Sequence, residues 1–224
     1  MNRTRKLTAF AAAATLALGT AACGDDGEDT ATGAASNQEQ TKKPEPVAQV
    51  DSLTGRQTAV TLDAGFVEAL TTLKVAPAPV GDAKISAKGV ASFPITGGNV
   101  TYYEPGSVSP YVQGRVDHDG SGLSLTAGDT KVELTDFVVD PGKSVLTGTV
   151  TVNGEEAAPS APLFFLDGRT LEPLKSGPNG TAILEGTTVK LKAEAAELLN
   201  DTFKIDALQE GLVIGVAKIT INAS

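Results

Sequence analysis

The chain has 224 residues, with 24 glycines, one histidine, one cysteine and no tryptophan. A single cysteine excludes an intramolecular disulfide and a cysteine metal cage, and a single histidine excludes a histidine cluster. The formal net charge of −9 excludes the strongly basic surface by which proteins bind nucleic acid.

The first 23 residues predict export. A basic start ending at Lys6 precedes an apolar run over 7–18, which is shorter than the roughly 20 residues of a membrane-spanning helix. Small residues then lead to Cys23, and the stretch resembles a bacterial lipoprotein signal, in which this cysteine is lipidated and begins the mature chain. Thr20 stands where such signals usually carry Leu. The alternative is a plain secreted protein with a free thiol.

We therefore predict a signal peptide over 1–22 and acylation, for example by palmitate, at Cys23. Removal of 1–22 takes away three positive charges and no negative ones, so the formal charge falls from −9 to −12. An acidic body is repelled by anionic lipid headgroups, so membrane attachment depends on the lipid. The predicted location is the extracytoplasmic face of the cell membrane.

The segment 23–50 contains almost no large apolar residues and is rich in Gly, Ala, Thr, Asp, Glu and Gln. Such a composition cannot bury enough apolar surface to offset the entropy of ordering. We predict a lipidated, disordered tether that holds the rest of the chain away from the membrane.

From residue 51 the pattern changes to short runs of alternating apolar and polar residues between Gly, Pro, Asp and Asn. The run 123–127 alternates in one phase. The run 131–139 reverses its phase near Asp136, which predicts either a bulge or a strand that passes from one environment to another. A last strand is predicted over 213–221. These runs predict a mainly β domain over 51–224, either a single antiparallel β-sandwich or a partly open barrel.

Two segments depart from the β pattern and predict short helices that cover the ends of the domain. The segment 63–74 begins with Asp63, a capping residue, and the segment 192–200 is rich in strong helix formers. Each follows a Val-x-Leu strand, and the two units superimpose when shifted by 129 residues. An internal repeat and a chance match both explain this similarity.

No motif for enzyme catalysis is present. No serine lies in a G-x-S-x-G sequence, and the stretch 141–144 lacks the first glycine of a phosphate loop because Phe137 occupies that position. His118 is the only histidine available as a catalytic base. We predict a non-enzymatic protein, and a secreted hydrolase without a recognisable motif is the remaining enzyme alternative.

The run 117–122 partly matches a calcium loop. Its oxygen-bearing side chains are those of Asp117, Asp119 and Ser121. Gly128 stands where such a loop carries its bidentate glutamate, and no flanking helices are predicted. We therefore favour a tight turn between strands over 112–116 and 123–127, with a weak calcium site as the alternative.

The chain's three tyrosines lie close to the histidine in the segment 102–118. They are Tyr102, Tyr103 and Tyr111, and the histidine is His118. Together these side chains could line a ligand pocket. The alternative is that each tyrosine packs its ring and leaves its hydroxyl in water.

Several sequence runs and their order along the chain resemble the HtaA-type domain, a β-rich surface domain of Gram-positive actinobacteria that captures and relays haem. The runs are 93–94, 114–125, 132–137 and 184–191, followed by 195–196 and 211–212. The His-Asp-Gly-x-Gly-Leu run is the most specific of them. The resemblance covers 58–222.

In that family a tyrosine near the start of the domain ligates the haem iron, and the histidine of the glycine-rich run supports it. His118 matches the histidine, but the opening helix over 65–74 contains no tyrosine. A haem site here would need Tyr102, Tyr103 or Tyr111 as a replacement. The resemblance therefore implies the fold more strongly than the haem function.

The main hypothesis is a lipid-anchored, non-enzymatic envelope lipoprotein without a cofactor, whose partner is an envelope protein or a small molecule. The alternative is a haem-binding lipoprotein that uses His118 and a nearby tyrosine. In both cases the lipid on Cys23 contacts the membrane, and nucleic acid is not a partner.

Overall fold

A computed structural model describes residues 44–222. The predicted signal peptide, Cys23 and most of the predicted tether lie outside these residues. The described part falls within a compact unit, Lys42–Ser224. No helix in residues 44–222 is long and apolar enough to cross a membrane.

The described residues form one curled, antiparallel, 13-stranded sheet and two α-helices. The helices are α1 (Ala64–Thr72) and α2 (Ala193–Phe203). The strands are β1 (Ala48–Val50), β2 (Gln57–Leu62), β3 (Ala76–Gly81), β4 (Lys84–Ile85), β5 (Val90–Pro94), β6 (Gly97–Tyr102), β7 (Val112–Ala127), β8 (Thr130–Asp140), β9 (Val145–Val152), β10 (Glu155–Asp167), β11 (Lys175–Gly177), β12 (Thr181–Leu191) and β13 (Val213–Asn222).

Neighbouring strands follow the order β1-β6-β7-β8-β9-β10-β12-β13-β2-β5-β4, with β3 on β7 and β11 on β12. The sheet curls into a half-barrel, which confirms the predicted mainly β fold and its partly open barrel form. The strands from β6 to β10 pair with their neighbours in sequence as a meander. The last predicted strand is confirmed as β13.

Both predicted helices are present. Asp63 caps α1, because its Oδ1 accepts a hydrogen bond from the amide of Gly65 at 2.8 Å. Side chains of both helices, Phe66 of α1 and Leu199 of α2 among them, line one small cavity of about 30 Å³. The helices therefore cover the same end of the half-barrel, and the expectation that they cover both ends was wrong.

The two strand–helix–strand units share their element order but differ in pairing. After α2, β13 returns to pair with β12, the strand that precedes the helix. After α1, β3 pairs with β7 and not with β2. The similarity between the two units therefore ends at the order of their elements.

The start of the folded body is earlier than the sequence suggested. Strand β1 pairs with β6, with Ala48 opposite Tyr102 and Val50 opposite Val100. Residues 48–50 were assigned to the tether because the composition around them is polar. They are ordered here by backbone pairing at a sheet edge, so the boundary at Asp51 was too late.

The predicted turn over 117–122 was also wrong. Strand β7 is continuous through this run for 16 residues. The pairing with β8 shifts between His118 and Gly122, and Asp136 on β8 has a left-handed φ of 52°. Glycine is common in bulges as well as in turns, and here it belongs to a bulge. This bulge also confirms the phase reversal predicted near Asp136.

Candidate ligand-binding pocket

The concave face of the half-barrel encloses a pocket of about 680 Å³, within the range of roughly 300–1,000 Å³ for small-molecule sites. Its wall is predominantly apolar and is built by inward-facing residues of nine strands. Central among these residues are Val60, Phe93, Val116, Phe137, Val139 and Ile219. Alternation along each strand explains this wall, because every second side chain faces the inside of a curled sheet.

His118 lies in the wall of this pocket and is only 2% exposed. Its Nδ1 lies 3.2 Å from the carbonyl oxygen of Phe137, and its Nε2 lies 2.8 Å from Oγ1 of Thr58. A carbonyl only accepts, so Nδ1 carries a proton and donates it. In the neutral ring Nε2 then accepts the hydrogen bond that the Thr58 hydroxyl donates.

Burial lowers the pKa of His118 from its ordinary value near 6.5. The Phe137 carbonyl, Asp117 and Asp119 oppose this shift, but desolvation of the charged ring is the largest effect. Phe93 packs edge-on against the imidazole, with ring centroids 6.5 Å apart. The histidine is therefore a neutral group in an apolar setting at neutral pH.

The bulge in β7 fixes the position of His118. Ser121 is fully buried and its hydroxyl donates to the carbonyl of His118 at 3.1 Å. The amide of Gly120 donates to Oδ1 of Asp136 at 2.8 Å. These bonds hold the backbone on both sides of the bulge, and so fix the position from which the imidazole enters the pocket wall.

Two of the three tyrosines reach the pocket. Tyr102 and Tyr111 line it and pack edge-on against each other, with ring centroids 5.8 Å apart. Burial raises the pKa of Tyr111, and Tyr102 adds to this effect. Tyr103 follows Tyr102 directly and is not part of the pocket wall. The sequence grouped all three with His118, and the structure brings only two of them to the pocket.

A charged group lies at the rim of the pocket. Asp167 accepts hydrogen bonds from the guanidinium of Arg169 and, at 2.8 Å, from Nζ of Lys190. Arg169 chiefly, and then Lys190, hold the pKa of Asp167 well below its usual range. The Arg169 side chain is 83% exposed. Two cations thus bind one carboxylate, and of the three residues Asp167 and Arg169 line the pocket while Lys190 does not.

The three residues of the weak calcium candidate have other partners. Asp117 forms an ion pair with Arg115. Oδ2 of Asp119 accepts a hydrogen bond from the hydroxyl of Thr96 at 3.0 Å, and Ser121 is turned to the His118 carbonyl. Residues 44–222 contain no cluster of three His, Cys, Asp or Glu side chains that could hold a metal ion.

Sequence analysis missed Thr58, Phe137 and the rim group around Asp167. The two-residue spacing of Thr58, Val60 and Leu62 puts all three on one face of β2. That pattern could not show which residue faces Thr58, because His118 is 60 positions away in sequence. Sequence analysis also could not show that β10 and β12 bring Asp167 and Lys190 together.

Comparison with solved structures identifies the fold. The C-terminal domain of HtaA from Corynebacterium glutamicum superimposes with a TM-score of 0.53 and 11% sequence identity, over 76% of this chain and 97% of that domain. The domain has an HtaA-like fold. The heme-binding protein HtaB of the same organism gives a TM-score of 0.49 and 12% identity, over 78% of this chain and 96% of HtaB. No protein-family model and no curated protein sequence matches the chain.

Proposed function

We propose that the HtaA-like domain is a non-enzymatic binding module that takes haem into the concave pocket. The observation that carries this proposal is the pocket itself, about 680 Å³ in volume and walled mainly by Val, Leu, Ile and Phe. Burying the apolar faces of a large flat molecule against such a wall is favourable without any chemical step. The resemblance of the run around His118 to a haem-capturing family makes haem the first molecule to test.

The pocket suits the organic part of haem better than its iron. The macrocycle matches an apolar wall, and the acidic groups at its edge match the cation Arg169, which lines the pocket and is largely exposed. Proteins commonly hold haem iron through His, Cys, Met or Tyr side chains. Both nitrogens of His118 already have hydrogen-bond partners, so binding the iron there would break the bond with Thr58.

The proposal is tested by titrating residues 24–224 with haemin and measuring the change in the Soret absorption band. Val60→Phe should weaken binding strongly, because Val60 lies in the pocket wall and a phenyl group there occupies ligand space. The matched control is Val216→Phe. Val216 is on neighbouring β13, 45% exposed and outside the pocket wall, so this variant should bind like wild type. An unsaturable titration, or equal affinity in both variants, overturns the proposal.

We also propose that the module is displayed on the outer face of the cell membrane by a lipid on Cys23. The support is the order of a basic start, an apolar run and small residues before the chain's single cysteine. Mass spectrometry of the mature protein should find Gly24 preceded by an acylated cysteine, and Cys23→Ser should release the protein from the membrane fraction. Membrane retention of Cys23→Ser would contradict the lipid anchor.

A further inference from the structure

The pocket wall contains few side chains that can bind iron. Among the residues that line it there is no cysteine and no methionine. The remaining candidates are His118, Tyr102, Tyr111 and Asp167. Whether any of these can coordinate a metal depends on the partners it already has.

To bind a metal through Nε2, His118 would have to give up its hydrogen bond with Thr58. Nε2 is bound to Thr58 at 2.8 Å and Nδ1 to Phe137 at 3.2 Å. Thr58 is itself buried, so its hydroxyl would lose its hydrogen-bond partner.

The remaining candidates are no better prepared. Tyr111 is engaged edge-on by the ring of Tyr102, with ring centroids 5.8 Å apart. A tyrosine binds ferric iron as phenolate, and burial, which raises the pKa of Tyr111, also disfavours that form. Tyr102 is 4% exposed and its ring packs against Tyr111. Asp167 is bound by Arg169 and Lys190, so metal binding there would have to displace two cations.

The geometry points to a pocket that holds porphyrins by their macrocycle, with no side chain of this chain coordinated to the central metal. The inference rests on the proposed function and narrows it to a ligand class: haem and its metal-free parent are bound alike. Apolar contact with the pocket wall supplies the affinity, and the metal adds nothing to it.

The test compares haemin with metal-free protoporphyrin IX on residues 24–224, using the Soret band for one and porphyrin fluorescence for the other. We expect the two dissociation constants to agree within about tenfold, a difference of only about 1.4 kcal/mol in binding free energy. Val60→Phe should weaken both ligands, and Val216→Phe should weaken neither.

Tyr111→Phe provides the second arm of the test, with Tyr103→Phe as its matched control outside the pocket wall. Both variants keep the ring and remove only a hydroxyl, so the haemin Soret band should have the same position in Tyr111→Phe as in Tyr103→Phe. A preference for haemin above about tenfold, or a Soret change confined to Tyr111→Phe, overturns the inference and leaves the proposed function standing. Failure of both ligands to bind overturns the proposed function.

Discussion

The environment of His118 makes the stability of the domain depend on pH. Its pKa is lowered in the folded state, while in the unfolded chain it returns to about 6.5. Below that pH the unfolded chain binds more protons than the folded one, so the free energy of unfolding falls as the solution becomes more acidic. This contribution is fully present above the unfolded pKa and is lost as the pH falls below it.

His118→Gln tests this dependence. We expect the variant to be less stable than wild type at neutral pH, because it loses the bonds to Thr58 and Phe137. Its stability should then decline less than that of wild type between about pH 7 and pH 5. Urea denaturation at several pH values measures both slopes. If the unfolding free energies of wild type and variant change equally with pH, His118 does not take up a proton on unfolding, and the prediction is wrong.

At this scale the sequence identified His118 and two of the pocket's tyrosines, because they are rare residues placed close together in the chain. It did not identify Thr58, which resembles any other polar residue of an alternating strand. What distinguishes Thr58 is the proximity of His118, 60 positions away. A single sequence has no signal for such a pair.

The bulged strand β7 depends on a glycine at position 122. A Cβ built on Gly122 would lie 2.1 Å from the carbonyl oxygen of Leu134, on the paired strand β8. Gly122→Ala must therefore push β7 away from β8. We expect a loss of about 1–3 kcal/mol in unfolding free energy, as for other overpacked sites, together with weaker haemin binding because His118 lies at the same bulge.

Gly168→Ala is the matched control for this substitution. No atom lies within 4 Å of a Cβ at Gly168, and its φ is not in the left-handed region. Chemical denaturation should find this variant close to wild type. If Gly122→Ala is equally stable, the close approach of β7 and β8 at the bulge is not a constraint on the fold.

Elements with a strong local signal were predicted well. Helix α1 has a capping Asp63 and buries Phe66 and Leu70 from one stripe, and both features are visible in the sequence. The run 117–122 was misassigned because Asp, Gly and Ser favour turns and bulges alike. Strand β1 was missed because only its pairing with β6, and no pattern of its own, orders it.

For the whole molecule, the sequence pattern predicts the fold class, a curled antiparallel sheet, but it does not predict the pocket. Alternation in separate strands predicts that each has an inner face. The volume left between those faces depends on how far the sheet curls and on which side chains meet across it. Here β2, β7 and β12 contribute to one wall although they come from distant parts of the chain.

Haemin binding in the proposed pocket should raise the thermal stability of the folded domain, and only in variants that still bind haemin. A ligand that binds only the folded state stabilises it by about 2.7 kcal/mol at a hundredfold excess over its dissociation constant. Haemin should therefore raise the melting temperature of wild type and of Val216→Phe, as measured by far-ultraviolet circular dichroism. It should leave that of Val60→Phe unchanged.

Without ligand, Val60→Phe should melt at or above the wild-type temperature. Val60 is only half-buried despite its central place on β2, because it faces the pocket. A phenyl group there buries additional apolar surface without displacing neighbours. A lower melting temperature of Val60→Phe would instead mean that its weaker binding reflects damage to the fold. An equal or higher value leaves occupation of the pocket as the cause, since the folded state is then intact and only the space for the ligand has changed.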